Sequence, residues 1–567
     1  MVDRGKRIRL VVAGLALAVT AVGVLRVWST LSVFSATIDE PDHIGAGMEW
    51  LSRGTYTRDT KHTPLGRVAA AFPLWLDGSR SVGLADEWDE GNAIFASRGR
   101  FQADLAKARS GIVVFFVLMC GVVFLWSMEL FGPWIGLLCL FELSLLPAVL
   151  ALSGLVTTDM AGASTVVLSL WMFLRWSRRR TPWRALAAGF CLGLALLAKL
   201  SAVPLLVGCA LVWLAFQAWM RRGWPSEAVR FRLGQTLLVG LGAFLLIWAG
   251  YRFQSEPLSQ AKTVRRYQAR LDQHSLPGRA ISKALDVPIP GGNMIRGFGD
   301  LLIFEGEPTR PQYFLGKVKA GGWLLYFPVA FLVKAPLPFL ILCGIGLLLA
   351  IRVVARGGDV EWCYPAGFAL VVFLVCLPTH WNIGTRYLLA AYPLLCIASG
   401  LAIRSLWHSP RLTAAARAVV AGLLFWLAAE SAYAHPDYLA YFNELAGGHP
   451  ERILADSDLD WGQDLYRLQR EARRVHASPL WEAYWGMTRP QAYGFDTRAL
   501  PADRTVSGWV AVSIQLLVLT PERYAWLAPY SWRPVGKSIR FYFVPEPAPA
   551  PLAPVGREQA LSMLHLK

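Results

Sequence analysis

The sequence predicts an α-helical protein that crosses a membrane many times. Of its 567 residues, 55% are hydrophobic and only 17% are charged, and the mean hydropathy is positive. A soluble chain of this length carries more charge and divides into several domains. Apolar runs of about 18 residues or more recur along the chain, and each is long enough to span the hydrocarbon core of a bilayer.

We predict about eleven transmembrane helices. The first apolar run follows the basic stretch "MVDRGKRIRL" and is longer than the apolar core of a signal peptide, so we expect an uncleaved first helix. The runs lie near residues 10–34, 111–131, 134–152, 160–176, 185–198, 202–220, 233–250, 324–351, 364–379, 387–403 and 413–431.

The charges of the short loops predict one orientation. Four short loops are rich in arginine and are expected to be cytoplasmic, as is the N-terminus, whereas the short loops on the opposite side carry few charges. The arginine-rich loops are residues 175–184, 221–232, 352–358 and 404–411. Two long segments, 35–110 and 251–323, would then face the outside.

The same topology places the C-terminal part of the chain outside the membrane. Residues 1–431 are predicted to form a transmembrane domain and residues 432–567 a small extracytoplasmic domain. Short β-like runs at 508–519 and 539–544 predict an α/β fold for this second domain.

Composition argues against several classes of function. The net charge of +17 reflects arginine between apolar runs, where it sets topology, so we expect no nucleic-acid partner. The eight cysteines lie in or next to apolar runs and form no CxxC motif, which argues against disulfides and a structural zinc. A GxxxxGK[ST] motif is absent, which disfavours an ATP-driven pump.

Ionisable side chains at membrane depth are costly and are therefore functional candidates. Here they gather at helix ends on the predicted outer side, with a further basic turn, "KHTPLGR", in the first outer segment. The candidates are Asp39, Glu40, His62, Asp159, Lys199, His380 and Arg386.

Each of the main candidates has a structural alternative. Asp39 or Glu40 could cap the helix that begins at Pro41, and Asp159 could cap the helix that follows it. Lys199 could extend to the headgroup region, and Arg386 could anchor to lipid phosphate. A cap needs one acceptor, whereas "DEPD" supplies three carboxylates.

At these residues the chain resembles the GT-C superfamily of membrane glycosyltransferases. It is most similar to bacterial members related to protein O-mannosyltransferases and the lipid A aminoarabinose transferase, in glycosyltransferase family 39. The resemblance rests on the "DE" after the first helix, "HTPLGR" in place of His-Pro-Pro-Leu-Ala-Lys, "TTDMAG", "LLAKLSA", "TRYLLAAYPLLCIASG", "AHPDYLAYFNELAGG" and "DSDLDWGQDL".

The resemblance implies transfer of a sugar from a polyprenyl phosphate at the outer face of a bacterial plasma (inner) membrane. Asp39 would be the general base that deprotonates an acceptor hydroxyl, with inversion by single displacement. Arg386, Lys199, His62 and His380 would stabilise the phosphate leaving group. The acceptor would be an envelope glycan, a lipid or a protein.

The carboxylates have further roles under the same resemblance. Asp159 would orient the acceptor, or would join Asp39 or Glu40 in holding a divalent cation, Mg²⁺ or Mn²⁺. In "DSDLDWGQDL", Asp458 or Asp460 is expected to cap the helix that follows, with a role on the acceptor side as the alternative.

Two other functions remain open from the sequence. A transporter or flippase for a polar or lipid-linked solute would place charges at the bilayer midplane on broken helices, often in repeated halves. The charges here lie at one interface, and no paired halves are visible. A non-catalytic membrane scaffold would account for the C-terminal region but not for the carboxylates at helix ends.

Overall fold

The computed structural model describes residues 2–220, 233–271, 275–306, 310–408 and 413–546. The predicted loop 221–232, the end of the predicted loop 404–411 and the C-terminal part of the predicted second domain lie outside the described residues.

The described part of the chain is mostly helical, with 66% of its residues in helices. The helices are α1 (Val2–Trp28), α2 (Glu40–Arg53), α3 (Pro64–Leu76), α4 (Glu87–Ala96), α5 (Phe101–Ser110), α6 (Val113–Phe131), α7 (Pro133–Leu145), α8 (Pro147–Ser153), α9 (Asp159–Arg178), α10 (Pro182–Ala198), α11 (Ala202–Met220), α12 (Leu233–Gly250), α13 (Lys262–Gln268), α14 (Leu276–Leu285), α15 (Gly292–Gly306), α16 (Tyr326–Lys334), α17 (Leu337–Ala355), α18 (Tyr364–Cys376), α19 (Ala391–Trp407), α20 (Thr413–Tyr433), α21 (Leu465–Arg474) and α22 (Ile514–Leu519).

Several helices can cross a membrane. Among the described residues, five are long and apolar enough, and α7 with α8 makes a sixth if the pair, bent by 67°, is one span. The five are Gly5–Trp28, Phe101–Phe131, Ala202–Met220, Leu337–Ala355 and Ala414–Tyr433. The predicted number of about eleven is not confirmed, because other predicted spans form apolar helices of only 13 to 17 residues. The apolar helices support a multi-pass membrane protein.

The predicted first outer segment, 35–110, folds into the four helices α2 to α5. In the stretch "HIGAGMEWLSRG", Ile44, Met48 and Leu51 lie at helical spacing, a pattern that predicts a helix lying on the membrane surface. The structure instead buries α2 from Glu40 to Glu49, because α3 and α4 cover it. The approach of α4 is close enough that a Cβ on Gly91 would collide with the Pro41 carbonyl.

The strands of the described residues are short and lie between Ser255 and Val544. The antiparallel pair β1–β2 and the antiparallel hairpin β3–β4 lie in segment 251–323, and β5 to β9 form a sheet in the order β6-β5-β7-β9-β8. Their bounds are β1 (Ser255–Pro257), β2 (Pro288–Pro290), β3 (Pro311–Phe314), β4 (Lys317–Ala320), β5 (Leu480–Ala483), β6 (Arg498–Ala499), β7 (Gly508–Ser513), β8 (Trp532–Val535) and β9 (Ile539–Val544).

The predicted β-run at 508–519 forms β7 followed by the helix α22. The predicted run at 539–544 forms β9. The sheet does not stand apart from the helices, because Leu480 of β5, Ala511 of β7 and Phe541 of β9 belong to the same buried apolar cluster as the apolar helices. A domain boundary near residue 431 therefore stays a prediction.

Candidate active site

The chain leaves α1 through an extended segment that ends at Asp39. Backbone hydrogen bonds fix this segment to a stretch more than 400 residues later: the Ser35 amide donates to the Gln463 carbonyl over 3.0 Å and the Ile38 amide to the Trp461 carbonyl over 3.2 Å. The segment "DSDLDWGQDL" thus lies directly against the exit of the first helix.

Four of the predicted residues form one chain of ion pairs. Arg386 donates from Nη1 to Asp39 Oδ2 over 2.6 Å, and the same nitrogen lies 4.0 Å from Asp159 Oδ2. The other oxygen of Asp159, Oδ1, accepts from Lys199 Nζ at 2.5 Å. Two carboxylates and two cations therefore alternate at the ends of helices that are distant in sequence.

The Arg386 guanidinium has an enclosed but incompletely paired environment. Its Cζ lies 4.5 Å from the centre of the Trp461 ring, which supports the charge by a cation–π contact. Its Nε is buried and finds no hydrogen-bond partner among the described residues. The Lys199 ammonium lies 5.1 Å from the centre of the Tyr387 ring.

The charges of this cluster set the protonation of Asp39. Burial alone would raise the pKa of the Asp39 carboxyl, but Arg386, assisted by His43 and His62, lowers that pKa below its usual value. The carboxylate nevertheless keeps a quarter of its side-chain surface exposed, against 13% for Arg386. Asp39 is thus ionised and accessible.

The contacts of these four residues differ from those that the structural alternatives predict. Asp39 stands at the N-cap position of α2, yet its side chain makes no capping hydrogen bond there, and α9 likewise begins without a side-chain cap, both within the described part of the chain. Lys199 and Arg386 bind carboxylates of the protein rather than pointing away from it.

Glu40 has a different environment from Asp39. It is fully buried and forms a two-pronged ion pair with Arg109, in which both N–O distances are 2.7 Å. Its oxygens also accept from the amides of Thr37 and Val156. These bonds tie the exit of α1 to α5 and to the start of α9, so the geometry favours a supporting position for Glu40.

His62 lies in a second charged cluster beside the first. Its Nδ1 is 2.5 Å from Asp59 Oδ2, and the buried Arg67 bonds Asp59 and Asp42 over 2.6 and 2.7 Å. The His62 and His43 rings meet edge to face, with centroids 5.4 Å apart. His62 therefore neighbours Asp39, as its effect on the Asp39 pKa shows, without joining the chain of ion pairs.

The seventh predicted residue, His380, does not belong to that chain within the described residues. Its side chain is exposed, at the start of the loop that leads to Arg386. The structure thus brings together Asp39, Asp159, Lys199 and Arg386, sets His62 beside them and leaves Glu40 behind them.

The segment "DSDLDWGQDL" has another role than the predicted one. The residue that precedes α21 is Asp464, not Asp458 or Asp460, and it makes no side-chain cap among the described residues. Asp460 accepts from the Gly462 amide, two residues on, over 3.3 Å and from the Gln515 amide over 2.9 Å. Asp458 accepts from Thr385, the neighbour of Arg386.

Two groups of side chains could be considered for a metal ion. Asp42, Asp59 and His62 place ligand atoms within 4.8 Å of one another, but the guanidinium of Arg67 already lies against both carboxylates. In the predicted pair, Asp39 and Asp159, a nitrogen of Arg386 approaches both. In each group an arginine supplies the positive charge, so the arrangement does not fit an additional cation.

Comparison with known proteins gives one family match. Residues 101–248, about a quarter of the chain, match the model of the dolichyl-phosphate-mannose-protein mannosyltransferase family. No curated protein matches the sequence. The matched segment begins at α5 and ends within α12, so it includes Asp159 and Lys199.

Several solved structures are similar to this chain at low sequence identity. ArnT from Cupriavidus metallidurans in the apo state has 14% identity and a TM-score of 0.49, covering 94% of this chain and 98% of its own. ArnT bound to undecaprenyl phosphate has 12% identity and a TM-score of 0.47, covering 93% and 98%. The oligosaccharyltransferase AglB from Archaeoglobus fulgidus, in complex with an inhibitory peptide and a dolichol-phosphate, has 13% identity and a TM-score of 0.46. This match covers 94% of the present chain and 75% of AglB.

At TM-scores below 0.5 these likenesses assign no substrate. The family match stands independently of them, and it confirms what the motifs predicted: this chain resembles the GT-C superfamily of membrane glycosyltransferases.

Proposed function

We propose that this protein transfers a sugar from a polyprenyl-phosphate carrier to an acceptor hydroxyl at the outer face of the membrane. One observation carries the proposal: the ionised, accessible carboxylate of Asp39 shares the guanidinium of Arg386 with Asp159, which also binds Lys199. A general base thus stands beside cations that suit a phosphate leaving group.

In this mechanism the donor phosphate competes with Asp39 for Arg386. The buried, unpartnered Nε shows that the guanidinium can form a further hydrogen bond, and guanidinium binds phosphate through two parallel bonds. As the phosphate draws Arg386 toward itself, Asp39 loses the charge that depresses its pKa and becomes a better base. Asp39 is therefore a strong base only when the donor is bound, because its ion pair with Arg386 keeps its pKa low in the donor-free protein.

Lys199 and Asp159 complete the arrangement. Lys199 lies at the C-terminal end of α10 and supplies a second positive charge near the leaving group. Asp159 holds Lys199 and approaches Arg386, so it orients both cations. Its predicted role in orienting the acceptor belongs to the same proposal. Asp39 takes the hydroxyl proton as the oxygen attacks the anomeric carbon, and the carrier phosphate leaves with inversion.

The remaining expectations belong to the same proposal. The donor is a polyprenyl-phosphate-linked sugar, the acceptor an envelope glycan, lipid or protein, and the setting a bacterial plasma (inner) membrane with a cytoplasmic N-terminus. The divalent cation predicted from the sequence is not part of this proposal, because Arg386 lies between the two carboxylates that would bind it.

The experiment uses the purified protein in liposomes that contain a radiolabelled polyprenyl-phosphate sugar and an envelope extract as acceptor. Release of free polyprenyl phosphate together with a new glycosylated product, identified by mass spectrometry, supports a transferase. Movement of the intact lipid-linked sugar between leaflets, with its linkage unchanged, would instead show the alternative function of a flippase.

A further inference from the structure

The loop that carries Arg386 is held at its start by Asn382, whose amide donates to the Gln312 side chain over 3.1 Å and whose side-chain oxygen accepts from the Trp323 amide. It runs from Trp381 into a short 3₁₀ turn at Thr385–Leu388, just before α19. Because Arg386 must reach Asp39 across 347 positions of sequence, something outside the loop has to fix its course.

Asp458 contacts this loop at the residue next to Arg386. Its Oδ1 accepts from the Thr385 amide over 2.9 Å and from the Thr385 hydroxyl over 2.8 Å. The neighbouring Ser457 hydroxyl donates to the Ile383 carbonyl. Two consecutive residues of the C-terminal segment thus bind both sides of Gly384.

Asp458 is itself held rigidly from the opposite side. The Tyr326 hydroxyl donates to its Oδ2 over 3.1 Å, and the Lys334 ammonium donates to its backbone carbonyl over 2.6 Å. Both donors come from α16, and the Asp458 side chain is buried. The carboxylate is therefore a fixed link between α16 and the Arg386 loop.

Gly384 shows how closely the two segments approach. Its φ of +111° is one that residues with side chains rarely adopt, and a Cβ there would collide with the Ser457 hydroxyl. The neighbouring Trp461 places its ring under the Arg386 guanidinium and its carbonyl on the Ile38 amide. The same segment therefore contacts both ends of the Asp39–Arg386 pair.

We propose that Asp458 is a positioning residue for the phosphate-binding cation: its two hydrogen bonds to Thr385 set the course of the loop so that Arg386 meets Asp39. This inference rests on the proposed function for its effect on transfer, and on geometry alone for its effect on the loop. The C-terminal segment is then part of the active site rather than an appendage to it.

The first experiment compares kinetics in Asp458→Ala, Asp458→Asn and Asp460→Ala. Asparagine keeps an oxygen that can accept both Thr385 hydrogen bonds, whereas alanine leaves them unmade. We expect Asp458→Ala to lower kcat by about 10- to 100-fold, the loss typical of hydrogen bonds to a charged group, while the acceptor KM stays unchanged. Asp458→Asn restores most of kcat. Asp460→Ala is the matched control, because it removes an equally buried carboxylate of the same segment that binds Gln515 instead.

The second experiment is hydrogen–deuterium exchange of peptides from residues 379–390. It needs no substrate and therefore separates this inference from the proposed function. Faster exchange in Asp458→Ala, with exchange like that of the wild type in Asp458→Asn and Asp460→Ala, supports the positioning role. It does so even if the wild type transfers no lipid-linked sugar, a result that would overturn only the proposed function.

Two results would overturn the inference. One is exchange in Asp458→Ala that equals that of the wild type. The other is a loss of kcat in Asp458→Asn as large as in Asp458→Ala without faster exchange, because the charge of Asp458 would then act on the reaction directly.

Discussion

Replacement of Arg386 by glutamine should change both the rate and its pH dependence. Glutamine keeps much of the length of the side chain but removes the charge that lies 2.6 Å from Asp39. We take the leaving phosphate to lie at the same distance from Arg386 as this carboxylate does. The attraction lost between phosphate and guanidinium is then about 1.6 kcal/mol with the dielectric constant of water. It is about 6 kcal/mol with an effective dielectric constant of 20. These limits correspond to roughly 10-fold and 10⁴-fold in kcat. The loss typical of one preorganised donor, about 10²- to 10³-fold, falls between them.

The same substitution should raise the pKa of Asp39, because burial remains while the main opposing charge is gone. A base is active when deprotonated, so the acid limb of the pH profile of kcat/KM should move to higher pH. The measurement is steady-state transfer between pH 4 and pH 8 with a soluble short-chain polyprenyl-phosphate sugar. Arg98→Gln is the matched control, since Arg98 is also half-buried and pairs with two aspartates, Asp77 and Asp104.

Arg386→Lys should give an intermediate rate, because an ammonium cannot make the two parallel bonds of a guanidinium. The reasoning fails if Arg386→Gln lowers kcat but leaves the acid limb in place, since Asp39 would then not be the base. It also fails if Arg386→Gln transfers as fast as Arg98→Gln.

Three further predictions follow from individual contacts. Glu40→Gln should lower the free energy of unfolding by about 3–5 kcal/mol in denaturant titration, because it breaks a buried ion pair with Arg109. The control Glu471→Gln, which breaks an exposed ion pair, should lower the free energy of unfolding by less than about 1 kcal/mol. The folded Glu40→Gln protein should keep most of its kcat, and complete loss in folded protein would contradict a supporting position. Burial raises the pKa of Asp456 to about 6, with Asp39 and Asp458 adding to the effect, so ionisation above pH 6 should place a negative charge near the donor phosphate. The donor KM should therefore rise between pH 5 and pH 7 in the wild type and stay constant in Asp456→Asn. The same change of donor KM with pH in both proteins would refute this. Treatment with EDTA should leave transfer unchanged, because a guanidinium already lies between the carboxylates that would bind Mg²⁺ or Mn²⁺. Loss of transfer in EDTA, with recovery when either ion is added back, would show that the metal is required.

The main charged residues of the site could be predicted because charged side chains are rare in and next to membrane-spanning runs. Asp39, Asp159, Lys199 and Arg386 interrupt or border apolar runs, where an ionised side chain is costly unless it is paired. Their common position at helix ends followed from the topology. Their pairing did not, since the order of contacts depends on side-chain geometry across hundreds of residues.

Other parts of the site depend on contacts that local patterns do not contain. The interpretation of Asp458 and Asp460 as helix caps followed the usual N-cap preference, but Asp458 binds Thr385, 73 positions away. Asp460 binds Gln515, 55 positions away, as well as the nearby Gly462. Arg109 looked like an ordinary basic residue before an apolar run, and its burial against Glu40 became visible only in the fold.

Secondary structure was predicted best where one pattern dominated. The long apolar runs are helices, whereas their number as membrane spans is not confirmed because several are shorter than a bilayer requires. In the run 508–519, β-branched and aromatic residues favour a strand, but only residues 508–513 pair with β9, and the more leucine-rich second half forms α22. The spacing of Ile44, Met48 and Leu51 predicts an amphipathic surface helix, but α3 and α4 pack against α2 and bury its residues 40–49.

The most direct test of the central claim is single-turnover transfer by Asp39→Asn beside Asp77→Asn, with the anomeric configuration of the product determined by NMR. Asp77 is a matched control because it is an ion-paired aspartate of the same segment outside the site. We predict an inverted product from the wild type and from Asp77→Asn, and no measurable product from Asp39→Asn. Product formation by Asp39→Asn at the wild-type rate, or a retained configuration, would contradict a single displacement with Asp39 as the base.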